Sequence, residues 1–123
     1  MGKKENVVRE KSFAFAMRIV ETYRLLVKTK KEFVIAKQML RSGTSIGANV
    51  EEADNAISKA DFSSKISIAY KEAKETHYWL RLLTLTGYLE GNLSNAILND
   101  CEELCRLLCS ILKTSRGFNP NQQ

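Results

Sequence analysis

Apolar residues in this chain recur every three or four positions over four long stretches, a spacing that specifies helices. The third stretch is unbroken: Phe62, Ile66, Ala69, Ala73, Thr76, Leu80 and Leu83 step by four and three. Such residues share one face of a helix, which must be buried against another element. Ser58 or Asp61 can cap its start and Gly87 can stop it, which predicts a helix over 59–86. The fourth stretch carries Ile97, Cys101, Leu104, Leu108 and Ile111, flanked by Leu98, Cys105 and Leu112. Ser94 suits its N-cap, and Arg116 with Gly117 its end, so the predicted helix covers 94–116. The remaining tail, 117–123, reads as frayed.

The first stretch presents Phe13, Ala16, Val20, Tyr23 and Val27 in one row, beside Phe15, Ile19 and Leu26. It predicts a helix over 6–28. The second presents Ile35, Met39, Ser42, Ile46, Asn49, Ala53 and Ala56, beside Ala36, Leu40, Gly43, Gly47 and Val50. Gly43 and Gly47 each cost a helix about 1 kcal/mol against Ala. The period nevertheless runs straight through Ser42–Asn49, so one helix is predicted over 32–56. Its small residues then let a neighbouring backbone come close. Four long helices with short connections give an all-α fold, an antiparallel up-and-down four-helix bundle in a single domain over 1–123. A single proline and six glycines leave too little punctuation for an all-β sandwich.

No apolar run approaches the length of a membrane span, and no membrane partner is expected. The N-terminus has a basic start without the apolar stretch of a secretory signal, and Asn6 stands where myristoylation requires Ser or Thr. Three cysteines within Cys101–Cys109 do not form a disulfide framework, which points to reducing cytoplasm.

Catalytic chemistry finds little material. Di-iron bundles need Glu-x-x-His pairs. The one histidine, His77, has Lys74 three positions before it. Gly43 and Gly47 lack the Lys-Ser/Thr of a phosphate loop. The cysteines read as small apolar residues lacking a fourth metal ligand. No catalytic residue, metal or cofactor is therefore expected, and the chain reads as a non-enzyme. Polar residues are more suggestive. Glu72, Glu75 and Trp79 share one side of the third helix, and Asn49 falls in a core row. Together with Ser45 and Glu52 they predict a polar network joining helices or subunits, with Arg41, Lys65 or Lys71 as counter-charges. Positive charge is uneven: residues 1–31 carry +6 of a total of +5, and 87–123 carry −1. Candidate phosphate contacts are Arg18, Arg24, Lys28, Lys30 and Lys31, with Lys71, Lys74 and Arg81 as a second set.

Two segments carry more than a period. Leu40–Ala53 contains Ser45, Ile46, Asn49, Glu52 and Ala53 in an S-I-x-x-N-x-x-E-A element. Asp61–Leu83 contains Lys65, Ile68, Ala69, Glu72, Glu75, Tyr78, Trp79 and Leu80 in a second element. With Lys11–Val20 and Lys30–Gly43, these resemble the bacterial four-helix-bundle family of 23S rRNA intervening-sequence proteins over about residues 6–112. The resemblance implies an up-and-down bundle assembled as a homopentamer, with no enzyme activity. A related branch serves reverse transcriptases of diversity-generating retroelements. It implies RNA or DNA as partner, and a reverse transcriptase where one is encoded nearby. The leading expectation is a nucleic-acid-associated adaptor; the alternative is a protein-interaction scaffold with no nucleic-acid role.

Overall fold

Local chemistry at the ends decides where each helix begins and stops. The computed structural model describes residues 2–116. It has α1 (Lys3–Leu25), α2 (Val34–Asp54), α3 (Lys59–Leu85) and α4 (Gly91–Arg116), and no strand among the described residues. The tail 117–123 lies outside them. Ser58 caps α3 by accepting from the Asp61 N–H at 3.0 Å, and the Asp61 carboxylate accepts from the Ile57 N–H. This is a reciprocal cap of the kind that satisfies otherwise orphaned amides. Gly87 ends α3 at φ 87°. The Tyr88 and Gly87 N–H groups return to the Leu83 and Thr84 carbonyls, which closes a Schellman motif. α1 instead runs on into a π-helical turn, Leu26–Lys30, ended by Lys31 in the left-handed region at φ 56°. The expected cap at Ser94 is corrected: α4 begins three residues earlier at Gly91, and Ser94 is buried inside it.

The helices pack in a ring, α1 on α2, α2 on α3, α3 on α4 and α4 on α1. Every neighbour is antiparallel. Arg9 reaches Asp54 while Gly43 meets Ile19. Glu52 pairs with Lys65 and Ser42 with Thr76. Ala73 meets Cys101 and Thr84 meets Ser94. Lys4 reaches Ser110 and Arg18 reaches Asp100.

The α3 and α4 rows occupy the core as expected, apart from the half-buried Phe62. α1 keeps the expected Phe15, Ile19 and Leu26 in the core but leaves the row from Phe13 half-buried or exposed. Its buried residues are Val8, Ser12, Phe15, Ile19, Thr22 and Leu26, whereas Phe13 is 60% exposed. Two of these are hydroxyl residues that the expectation lacked. Ser12 lies under Gly47, and Thr22 Oγ1 donates to the Arg18 carbonyl at 2.8 Å. A count of apolar residues alone omits these two and gives the half-buried row from Phe13 equal weight. Asn49 is likewise half-buried, not core, and its amide donates to Ser45 within α2.

α2 is continuous through its glycines because α1 occupies the space a side chain would need. A Cβ at Gly43 would lie 2.8 Å from Ile19 Cγ1, and one at Gly47 3.2 Å from the Ser12 carbonyl oxygen. Three hydroxyl pairs then tie α3 to its neighbours: Thr76 with Ser42, Thr84 with Ser94, and Ser63 with Ser115. Among the described residues every buried side-chain nitrogen and oxygen has a partner.

Gly43→Ala is expected to destabilise the fold by about 1–3 kcal/mol, overpacking outweighing the gain of about 1 kcal/mol in helix propensity. Gly47→Ala should cost less, because its contact is looser. Urea unfolding measures both, and a Gly43→Ala variant as stable as the parent would contradict the close approach.

Candidate nucleic-acid interface and polar network

Ion pairing inside the bundle determines which cations remain for a partner. The acids of α4 turn toward α1 and α3. Asp100 takes Arg18 at 2.8 Å, Glu103 takes Lys11 at 3.2 Å, and Glu102 lies 3.0 Å from His77. Glu51 and Asp54 take Arg9. Arg18, expected among the phosphate contacts, is thus held by a carboxylate. Arg24, Lys28, Lys30 and Lys31 are exposed and form no ion pair among the described residues. They gather at the C-terminal end of α1 and its π turn. Antiparallel packing brings the start of α2 and the end of α3, with Arg81, to the same end of the bundle.

The second expected set does not form one cluster. Lys74 lines the groove between α3 and α4. Arg81, seven residues on, shares its flank, whereas Lys71 lies toward the outward face of α3. The groove contains two cations that sequence reasoning missed, Arg106 and Lys113. The segment charge of −1 concealed them. Asp100 and Glu103 point to α1 and Glu102 lies against His77, and only the helical phase of α4 could have separated them from the two cations.

The expected polar network exists in parts. Arg41 Nη1 lies 3.2 Å from Glu72 Oε2, and its Nη2 pairs with Glu75. Trp79 Nε1 donates to Glu75 Oε2 at 2.9 Å. Lys65 and Glu52 pair separately at 3.0 Å, Ser45 and Asn49 bond within α2, and Lys71 forms no ion pair among the described residues. The Trp79 N–H holds the Glu75 carboxyl below the ordinary value; burial opposes it and Arg41 assists. Trp79 is half-buried against the core, with Tyr78 edge-on at 4.9 Å between ring centroids.

Comparison with known proteins places this geometry. The profile of the 23S rRNA-intervening sequence protein family matches residues 4–110. Among solved structures, one similar to the chain is the crystal structure of a protein with unknown function from the S23 ribosomal protein family of Bacteroides thetaiotaomicron VPI-5482. The two are 55% identical with a TM-score of 0.87, over 89% of this chain and 98% of that one. No curated protein matches.

A depressed carboxyl pKa stabilises the fold above about pH 4.5, and that contribution is lost as pH falls through the folded value. Trp79→Phe keeps the ring but removes the donor. The Glu75 carboxyl carbon, followed by NMR, should then titrate at higher pH, closer to an ordinary carboxyl. An unmoved midpoint would remove the Trp79 N–H as the cause.

Proposed function

The chain belongs to the 23S rRNA-intervening sequence protein family, and from that premise we propose that it is a non-enzymatic, homo-oligomeric adaptor that binds nucleic acid. The observation that carries the reading is the set of cations left over at one end of the bundle: Arg24, Lys28, Lys30 and Lys31. The carbonyl end of a helix amounts to about half a negative charge, so it balances only a fraction of the four. Phosphates are ligands that match such a cluster without demanding base recognition. Arg81 adds to the same end. Arg18 does not, because Asp100 already occupies it.

Self-assembly draws support from apolar side chains that the ring of helices leaves outside. Phe13 and Met17 stand one turn apart on α1; Ile68, Tyr78 and Leu85 lie on α3, the last 84% exposed. A homopentamer would bury such residues and repeat the cationic end five times. Weak single sites then act as a multivalent surface. A protein-interaction scaffold is the competing reading, favoured by the same exposed residues: here they would meet a different protein.

Fluorescence anisotropy with labelled single-stranded RNA at about 50 mM salt should show binding whose logarithm falls linearly with log salt. Lys28→Ala, Lys30→Ala and Lys31→Ala together should flatten that slope by about two to three, since each phosphate contact contributes about 0.7–0.9. Absence of binding to RNA and DNA would remove the nucleic-acid reading. Light scattering should give about five times the chain mass of 13.9 kDa. A monomer mass would leave the apolar residues to a different protein.

A further inference from the structure

The groove between α3 and α4 contains chemistry that phosphate binding does not use. Tyr70 and Lys74 of α3 face Cys105, Arg106, Cys109 and Lys113 of α4 around a volume of about 410 Å³. Cys101, Cys105 and Cys109 stand one helical turn apart, so each sulfur neighbours the next. They differ sharply in environment. Cys101 is buried in the core, 3.4 Å from the Ala73 carbonyl, while Cys105 and Cys109 are half-buried free thiols on the groove. Lys74, Arg106 and Lys113 make no ion pair among the described residues, and the neighbouring acid, Glu102, lies against His77.

The groups around Cys105 come from both helices. The contact with Cys101 holds the Cys105 thiol below its ordinary value; partial burial opposes it, Lys74 and Arg106 reinforce it, and Glu102 opposes it. The same contact, together with burial, pushes Cys101 up. Burial and the neighbouring Cys109 and Cys105 raise the Tyr70 phenol, which therefore remains neutral. A partly exposed thiol held below its ordinary value in an electropositive setting is the environment of a reactive cysteine, whereas a core thiol is inert.

We propose that this groove is a thiol-modification site in which Cys105 exchanges with a small anionic disulfide whose carboxylates rest on Lys74, Arg106 and Lys113. The Cys105 sulfur, its proton released to solvent, attacks one sulfur of the disulfide. A protein–sulfur bond forms and the original S–S bond breaks. The departing thiolate carries off the electron pair and takes up a proton. One thiol and one disulfide become one mixed disulfide and one thiol, with no additional oxidant. The half of the disulfide that stays on Cys105 keeps its carboxylates beside these cations.

The test uses the full chain and oxidised glutathione at about pH 7.5, read by mass spectrometry of the intact protein and its peptides. Cys105 should take the adduct at least about tenfold faster than Cys109, and Cys101 should stay unmodified until the chain is unfolded. Lys74→Gln with Arg106→Gln should slow the reaction of oxidised glutathione by about tenfold more than that of the neutral bis(2-hydroxyethyl) disulfide. A folded chain unreactive at Cys105 that takes adducts at all three cysteines once unfolded would overturn the site, as would modification mainly at Cys109. Equal slowing with both disulfides would overturn the role of the cations. The readout is the adduct itself, so this inference stands or falls separately from nucleic-acid binding.

Discussion

The approach of α1 to α2 at Gly43 and Gly47 sets the spacing on which the rest of the bundle rests. With a methyl group at residue 43, Ile19 would meet carbon at 2.8 Å. A branched side chain has little rotamer freedom with which to retreat. The helices would have to separate, and a close-packed interior transmits such a displacement to every layer. The same economy of size continues across the core, where α2 brings Ser42 and Ala53 and α3 brings Ala69 and Ala73. Larger side chains, among them Ile19, Met39, Leu80 and Leu104, fill what these leave.

Periodicity revealed this fold because burial and helical geometry act on the same residues. It was complete on α3 from Ile66, Thr76 included, and on α4 from Ile97. On α1 it found Phe15, Ile19 and Leu26 but not Ser12 and Thr22, which are buried beside them. A hydroxyl bonded to its own helix, or tucked beneath a glycine, satisfies the core without looking apolar. The end signals divided in the same way. Gly87 sits at a left-handed position that only a few residues tolerate, and so it was readable. The start of α4 at Gly91 was not, since Ser94 has the right chemistry for a cap and is instead paired with Thr84 inside the bundle.

The candidate site was legible as residue types and much less as an arrangement. Arg41 of α2 was one of three candidate counter-charges, whereas Glu72, Glu75 and Trp79 could be grouped from helical spacing because they share one helix. Which cations remain free could not. That depends on the rotation of α4 about its axis, which aims Asp100 and Glu103 at α1 and leaves Arg106 and Lys113 over the opposite groove. Linear charge sums average over that rotation. A segment with a net charge of −1 therefore contributes one wall of a cationic groove.

The three hydroxyl pairs on α3 have a mechanical consequence. Ser63 and Thr84 stand about 32 Å apart along the helix at 1.5 Å per residue, with Thr76 between them. All three hold partners on α2 or α4. Apolar surfaces tolerate gliding, because one methyl group resembles the next. Hydroxyls do not: sliding α3 by one turn breaks all three links between helices, leaving Thr76 and Thr84 only the Glu72 and Leu80 carbonyls of their own helix. Under tension along its axis α3 would load all three links together rather than one after another.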